Sequence, residues 1–194
     1  MLTDKFKNYK IILASKSPRR QYLLKEIGLN FEVKVIEDIP EVYPDNIEMK
    51  DVPVYLSELK SSSWDKEIND NTIVITADTI VLLNNKVINK PESYAEAEEM
   101  LKRLSGNMHY VITGVCIRSK NKKVVFDDTT KVYFNNLTDK EIKWYVDNYK
   151  PYDKAGAYGV QEWIGYIGIN KLEGSYFNVM GLPIHRVYEE LMKF

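Results

Sequence analysis

Between Thr72 and Thr79 the chain reads Thr-Ile-Val-Ile-Thr-Ala-Asp-Thr, an apolar stretch without strand-like alternation. A strand of this kind is buried on both faces, which is the habit of sheets covered by helices and points to an α/β fold. The stretch closes on a carboxylate and a hydroxyl, Asp78 and Thr79. Ligands of open α/β sheets sit just outside the carboxyl ends of strands, so Asp78 stands where catalytic acids and bases are often placed. A turn or capping aspartate would stand there equally well.

A second stretch changes character as sharply. Ile11-Ile12-Leu13-Ala14 reads as the end of a buried strand, and Ser15-Lys16-Ser17-Pro18-Arg19-Arg20 follows directly. Ser17 suits an N-cap, and Pro18 the first helical position, where its missing N–H would have had no partner. Leu23, Leu24 and Ile27 continue at helical spacing, and Gly28 stands where a C′ glycine closes a helix. Backbone N–H groups, two hydroxyls, one lysine and two arginines thus gather where strand gives way to helix. A helix N-terminus favours an anion, and guanidinium forks match phosphate oxygens. Solvated first-turn arginines would give the same local pattern, but cations there oppose the helix dipole and call for something anionic.

The length, 194 residues, fits one domain with a real core. The 27 basic and 28 acidic residues leave a net charge of −1, so no global field selects a nucleic acid or a membrane. Cys116 is the only cysteine and lies in an alternating apolar run; it has no internal disulfide partner and reads as a core residue of a reducing cytoplasm. The first residues contain no apolar signal core, and no run approaches membrane-spanning length.

In chain order, Phe31–Val35 alternates as a strand with one buried face. The segment from Glu37 to Asp45 is acidic and proline-broken, hence a loop; Glu37, Asp38 and Glu41 are either a solvated rim or oxygen ligands for a divalent cation. A helix is predicted from Pro53 to about Ile68, with Leu56 and Leu59 on one face and Lys60 a surface lysine when taken alone. Ile80–Leu83 and Lys86–Ile88 form a hairpin through Asn84-Asn85. Ser93-x-x-Glu96 and Thr138-x-x-Glu141 are capping boxes, each followed by an apolar helical stripe. His109–Arg118 and Lys123–Phe134 alternate as two strands. Six of nine glycines fall after residue 150, so Asp153–Gln161 is a tight backbone with charged and amide side chains embedded in it. Gly181-Leu182-Pro183 opens a last helix whose Ile184, Val187, Tyr188 and Leu191 face the core.

Together these stretches resemble the Maf family of nucleoside triphosphate pyrophosphatases, over nearly the whole chain. The resemblance rests on Ser15-x-Ser17-Pro18-Arg19-Arg20, Leu56-x-x-x-Lys60, Ala77-Asp78-Thr79, Lys90-Pro91, Leu104-Ser105-Gly106, Asp153-Lys154-Ala155-Gly156-Ala157-Tyr158-Gly159-x-Gln161, Gly174-Ser175-Tyr176 and Gly181-Leu182-Pro183. Three departures are Ser61 where alanine is usual after the lysine, Asn89 where glycine is usual before Lys90-Pro91, and an acidic loop that matches only loosely, with Glu41 the counterpart of the family's loop glutamate and Glu37 the fallback. The resemblance implies residues 1–194 as a single bilobed domain of Maf/ITPase-like fold, α/β, with a long mixed β-sheet flanked by helices and a deep cleft. It also implies a cytoplasmic enzyme, often a homodimer, that splits a nucleoside triphosphate into monophosphate and pyrophosphate with a divalent cation.

On that footing Asp78 is the expected general base that activates water at the α-phosphorus, or it shares that water with a metal. Arg19 is the expected phosphate clamp, and Arg20 either assists it or pairs with an acid, with Ser15 and Ser17 at the same turn. Lys60, Lys90 and Lys154 add point charges, so five cations offset a substrate of about −4 charge. Glu41, with Glu37 as the fallback, joins Asp78 to hold Mg²⁺ or Mn²⁺. Gln161 offers an acceptor and a donor, complementing the N–H and carbonyl of uracil or thymine, and Thr79 is a second specificity contact. The expected substrates are dTTP and UTP, with 5-modified UTP analogues, in the house-cleaning of nucleotide pools. The alternative is a nucleotide-binding regulator of cell division and septum formation with little catalysis. Neither a Walker A loop nor G-x-G-x-x-G occurs, which argues against a kinase or a dinucleotide enzyme.

Overall fold

The computed structural model describes residues 1–37 and 39–194; Asp38, one of the three loop carboxylates, lies outside the described residues. The strands are β1 (Lys10–Leu13), β2 (Glu32–Val33), β3 (Thr72–Leu83), β4 (Lys86–Ile88), β5 (Met108–Arg118), β6 (Lys123–Phe134) and β7 (Ile169–Glu173). The helices are α1 (Leu2–Lys5), α2 (Pro18–Glu26), α3 (Val52–Ser62), α4 (Tyr94–Leu104), α5 (Asp139–Tyr149), α6 (Trp163–Gly168), α7 (Tyr176–Val179) and α8 (Ile184–Met192). Among the described residues, seven strands form one mixed sheet in the order β2-β1-β3-β5-β6-β7, with β4 paired to β3. The α/β class with a mixed sheet is therefore the observed one. β1 pairs in parallel with both β2 and β3, whereas β3–β4 and β6–β7 are antiparallel.

The residues divide into two compact units. One comprises Met1–Asp78, Thr113–Asp128 and Gly181–Phe194; the other comprises Thr79–Ile112 and Thr129–Met180. In the first unit, Ile12, Trp64 and Val74 form a buried cluster, with Ala14, Ile36 and Ile68 packed on it. Gly114 of β5 lets α3 come close: a Cβ there would overlap the Pro53 carbonyl and the Val54 nitrogen. In the second unit α4 packs on α5 and on the turn at Ala155–Ala157. Tyr158 meets both His109 and Phe134 edge to face, the His109 and Phe134 rings are tilted at 39° to each other, and the fully buried imidazole has its Nε2 2.7 Å from the Tyr158 hydroxyl.

Several expectations are corrected. β3 does not stop at Asp78 but continues to Leu83, because its second half has its own antiparallel partner in β4. Asp78 lies instead just beyond the parallel β1–β3 ladder, whose last register pair is Leu13 with Ile75. The strand expected at Phe31–Val35 shrinks to β2, which lies at the edge of the sheet with both residues exposed. α3 ends at Ser62, not near Ile68. Ser61, Ser62 and Ser63 are weak helix formers, and the following turns seat Trp64 in the core. Leu59 is only half-buried, and the buried face of α3 is Val52, Pro53, Leu56, Ser57 and Ser61. Ser93 caps α4, but Glu96 turns to the Glu92 N–H, so that capping box is half made; the Thr138–Glu141 box is complete. Ser17 is the backbone N-cap of α2 without a capping bond from its hydroxyl, and Gly28 takes its place after the helix at φ +72°. Tyr188 is exposed, while Ile184, Val187 and Leu191 are buried.

Candidate active site

In the first unit, the turn from β1 to α2 is drawn against β3 by Arg20. Its Nε donates to the Gly181 carbonyl at 2.8 Å, and its Nη1 donates to the Ala77 carbonyl at 2.9 Å and to Ser15 Oγ at 3.3 Å. Ser15 Oγ also accepts from the Ser17 N–H at 3.2 Å. Burial lowers the Arg20 pKa from its ordinary value; Asp78 opposes that shift, Arg19 adds to it, and Glu41 opposes it. Those four charges therefore share one neighbourhood. Arg20 holds backbone oxygens as much as it offers charge, and Arg19 stands half-buried on the first turn of α2.

The centre of this neighbourhood is an ion-pair triad. Lys60 Nζ, on the last turn of α3, lies 2.6 Å from Asp78 Oδ1 and 2.9 Å from Glu41 Oε1. The Lys60 and Asp78 side chains are 17% and 14% exposed, against 56% for Glu41. Lys60 is thus no surface lysine, and of Glu37 and Glu41 it is Glu41 that shares this lysine with Asp78. Glu37 pairs instead with Lys16 at 2.7 Å in the open, where that lysine lowers the Glu37 pKa. Two carboxylates converging on one positive centre are a donor set that suits a hard divalent cation. Among the described residues no cluster of three or more His, Cys, Asp or Glu is assembled.

In the second unit, the Asp153–Gln161 stretch is folded tightly around Lys154. That side chain is 10% exposed, with Nζ 2.7 Å from Asp153 Oδ1 and 3.1 Å from Glu162 Oε1. The Asn89 carbonyl, beside exposed Lys90, accepts from the Gly156 N–H at 3.1 Å and ties the Lys90 segment to this turn. Gln161 is half-buried, and its Oε1 is buried with no hydrogen-bond partner among the described residues. Thr79, half-buried, is the first residue of this unit. Glu162 and Tyr145 are the residues that sequence reasoning missed. A lysine as enclosed as Lys154 requires a counter-charge, and the acid directly after Gln161 was the available signal.

An α/β protein that sets a Lys–Asp–Glu triad and a cationic strand-to-helix turn just past a parallel strand pair falls in the class of α/β folds that gather charged groups where such sheets commonly take their ligands. Within that class the model for Maf-like proteins matches residues 10–194, and the chain belongs to this family. Curated relatives agree over full length. The dTTP/UTP pyrophosphatase of Parabacteroides distasonis is 49% identical over 193 residues, covering 100% of both chains. That of Flavobacterium psychrophilum is 48% identical over 192 residues, covering 99% of this chain and 98% of its own. The solved Staphylococcus aureus Ham1 protein aligns over 93% of this chain and 99% of its own, with 20% identity and a TM-score of 0.49. Among the described residues no helix is long and apolar enough to cross a membrane.

Proposed function

We propose that this protein hydrolyses dTTP and UTP to the monophosphate and pyrophosphate, working as one catalytic domain in cytoplasmic nucleotide house-cleaning. The observation that carries the reading is the Lys60–Asp78–Glu41 triad beside the Arg19–Arg20 turn. Asp78 takes a proton from water; the water oxygen bonds to the α-phosphorus; the bridging bond to the β-phosphate breaks and pyrophosphate leaves. Lys60 fixes the Asp78 carboxylate through Oδ1. Arg19, with Ser15 and Ser17 and with Lys90 and Lys154, is assigned to the phosphates; Arg20 keeps that turn in place. Asp78 and Glu41 would hold Mg²⁺ or Mn²⁺, which supplies charge neutralisation along the triphosphate. Gln161, whose carboxamide oxygen lacks a protein partner, is assigned to the base edge, with Thr79 as a second contact.

A binding-only regulator would need the cations but not a held acid, so the triad favours hydrolysis. With charges nearly balanced, the partner is free nucleotide rather than nucleic acid. Pyrophosphate release from a panel of triphosphates tests the assignment. dTTP and UTP should be preferred, EDTA should abolish turnover, and Asp78→Asn should lose about 10²- to 10⁴-fold in kcat while still binding nucleotide. An Asp78→Asn protein with undiminished kcat would remove Asp78 from its role.

A further inference from the structure

The bonds that shape the Gln161 turn converge on Glu162, whose side chain is 17% exposed. Its Oε2 accepts the Tyr145 hydroxyl, and the Tyr145 oxygen in turn accepts from the Gly159 N–H at 3.1 Å. Its Oε1 faces Lys154 Nζ. The Glu162 N–H closes the turn onto the Gly159 carbonyl at 3.0 Å, and its own carbonyl accepts from the Gly165 and Tyr166 N–H groups that start α6. The Tyr166 hydroxyl donates to the Gln161 carbonyl at 2.8 Å. A Cβ at residue 159 would lie 2.6 Å from the Glu162 carboxyl carbon, so a bare glycine is what admits the carboxylate.

We infer that Tyr145 and Glu162 form a positioning couple for base selection: they fix the turn that aims Gln161, and Glu162 also holds Lys154, without either touching the base. The inference rests on the assignment of Gln161 to the base edge and adds the residues that make that contact selective. A buried amide rejects a mismatched base only if it cannot swing away; a held turn leaves it unpaired against the wrong edge, and a slack one lets it find water. Loosening the turn should therefore erode discrimination more than catalysis.

The test measures kcat/KM for UTP and CTP in the full-length protein, with thermal midpoints and inhibition by tripolyphosphate alongside. It compares wild type, Tyr145→Phe, which removes one hydroxyl, Glu162→Gln, which keeps the shape, and the double variant. The UTP-to-CTP ratio should fall about tenfold in each single variant and no further in the double. Tripolyphosphate inhibition should stay within about twofold in Tyr145→Phe, since that change leaves the phosphate ligands in place. A wild type that selects UTP, with variants that lose both nucleotides equally, overturns the inference and leaves Gln161 standing. A wild type indifferent to the base overturns the Gln161 assignment and the inference with it. If Glu162→Gln does not fold, the Tyr145→Phe ratio decides.

Discussion

Arg20 shows how far a side chain's role depends on partners distant in sequence. From the sequence it shares a motif with Arg19; in the structure its donors go to the Ala77 and Gly181 carbonyls and to Ser15. Arg20→Ala should destabilise the protein by about 2–4 kcal/mol in urea unfolding, because those oxygens lose a charged donor. Arg20→Lys should recover only part of this, because an ammonium lacks the planar fork. His109 makes a pH prediction. Burial drives its pKa from 6.5 down to about 3, so below 6.5 the unfolded chain binds a proton that the folded one refuses. Stability should therefore fall as pH drops, by about 1.4 kcal/mol between pH 7.5 and 5.5. Chemical denaturation at the two pH values, with His109→Gln as the flattened control, checks the sign and the size. Motif spacing singled out Asp78, Lys60, Lys154 and Gln161 as candidates. It could not show that Lys60 serves both Asp78 and Glu41, or that Glu162 holds Lys154, because those pairings exist only once the chain is folded.

At the scale of elements, periodicity and punctuation carried well. The two long strands β5 and β6, the Asn84-Asn85 turn with both residues at positive φ, and the cap at Thr138 lie where local chemistry puts them. Thr138→Ala should cost about 1 kcal/mol through the lost cap, read as a lower midpoint in urea. The misses have a common cause, since local propensity cannot see a neighbour. β3 outran its apolar core because β4 pairs with it, β2 shortened at the sheet edge, and α3 stopped early to seat Trp64. Gly114 belongs here too. It lies in the middle of an apolar strand and gives no sign in sequence that it admits the first turn of α3. Gly114→Ala should push α3 away and lower stability by about 1–3 kcal/mol, with kcat falling because Lys60 rides on the same helix. Paired denaturation and turnover measurements check both effects.

At the scale of the molecule, the α/β class followed from the doubly buried strand and the family from the order of short motifs, whereas the division into two discontinuous units was not readable from local pattern. The chain passes from one unit to the other at 78/79, 112/113, 128/129 and 180/181, so the first unit is built from three separate stretches. A chain lacking residues 181–194 should lose the cooperative unfolding of that unit, since α8 contributes buried Ile184, Val187 and Leu191; near-ultraviolet circular dichroism reads the loss. The Arg20 bond to Gly181 spans 161 residues and gives this arrangement a direction in time. As the polypeptide leaves the ribosome, the guanidinium emerges early and one of its acceptors only near the finish. The part of the protein that is synthesised first is therefore among the last to be completed, and nascent chains halted short of Gly181 should be held by chaperones or degraded.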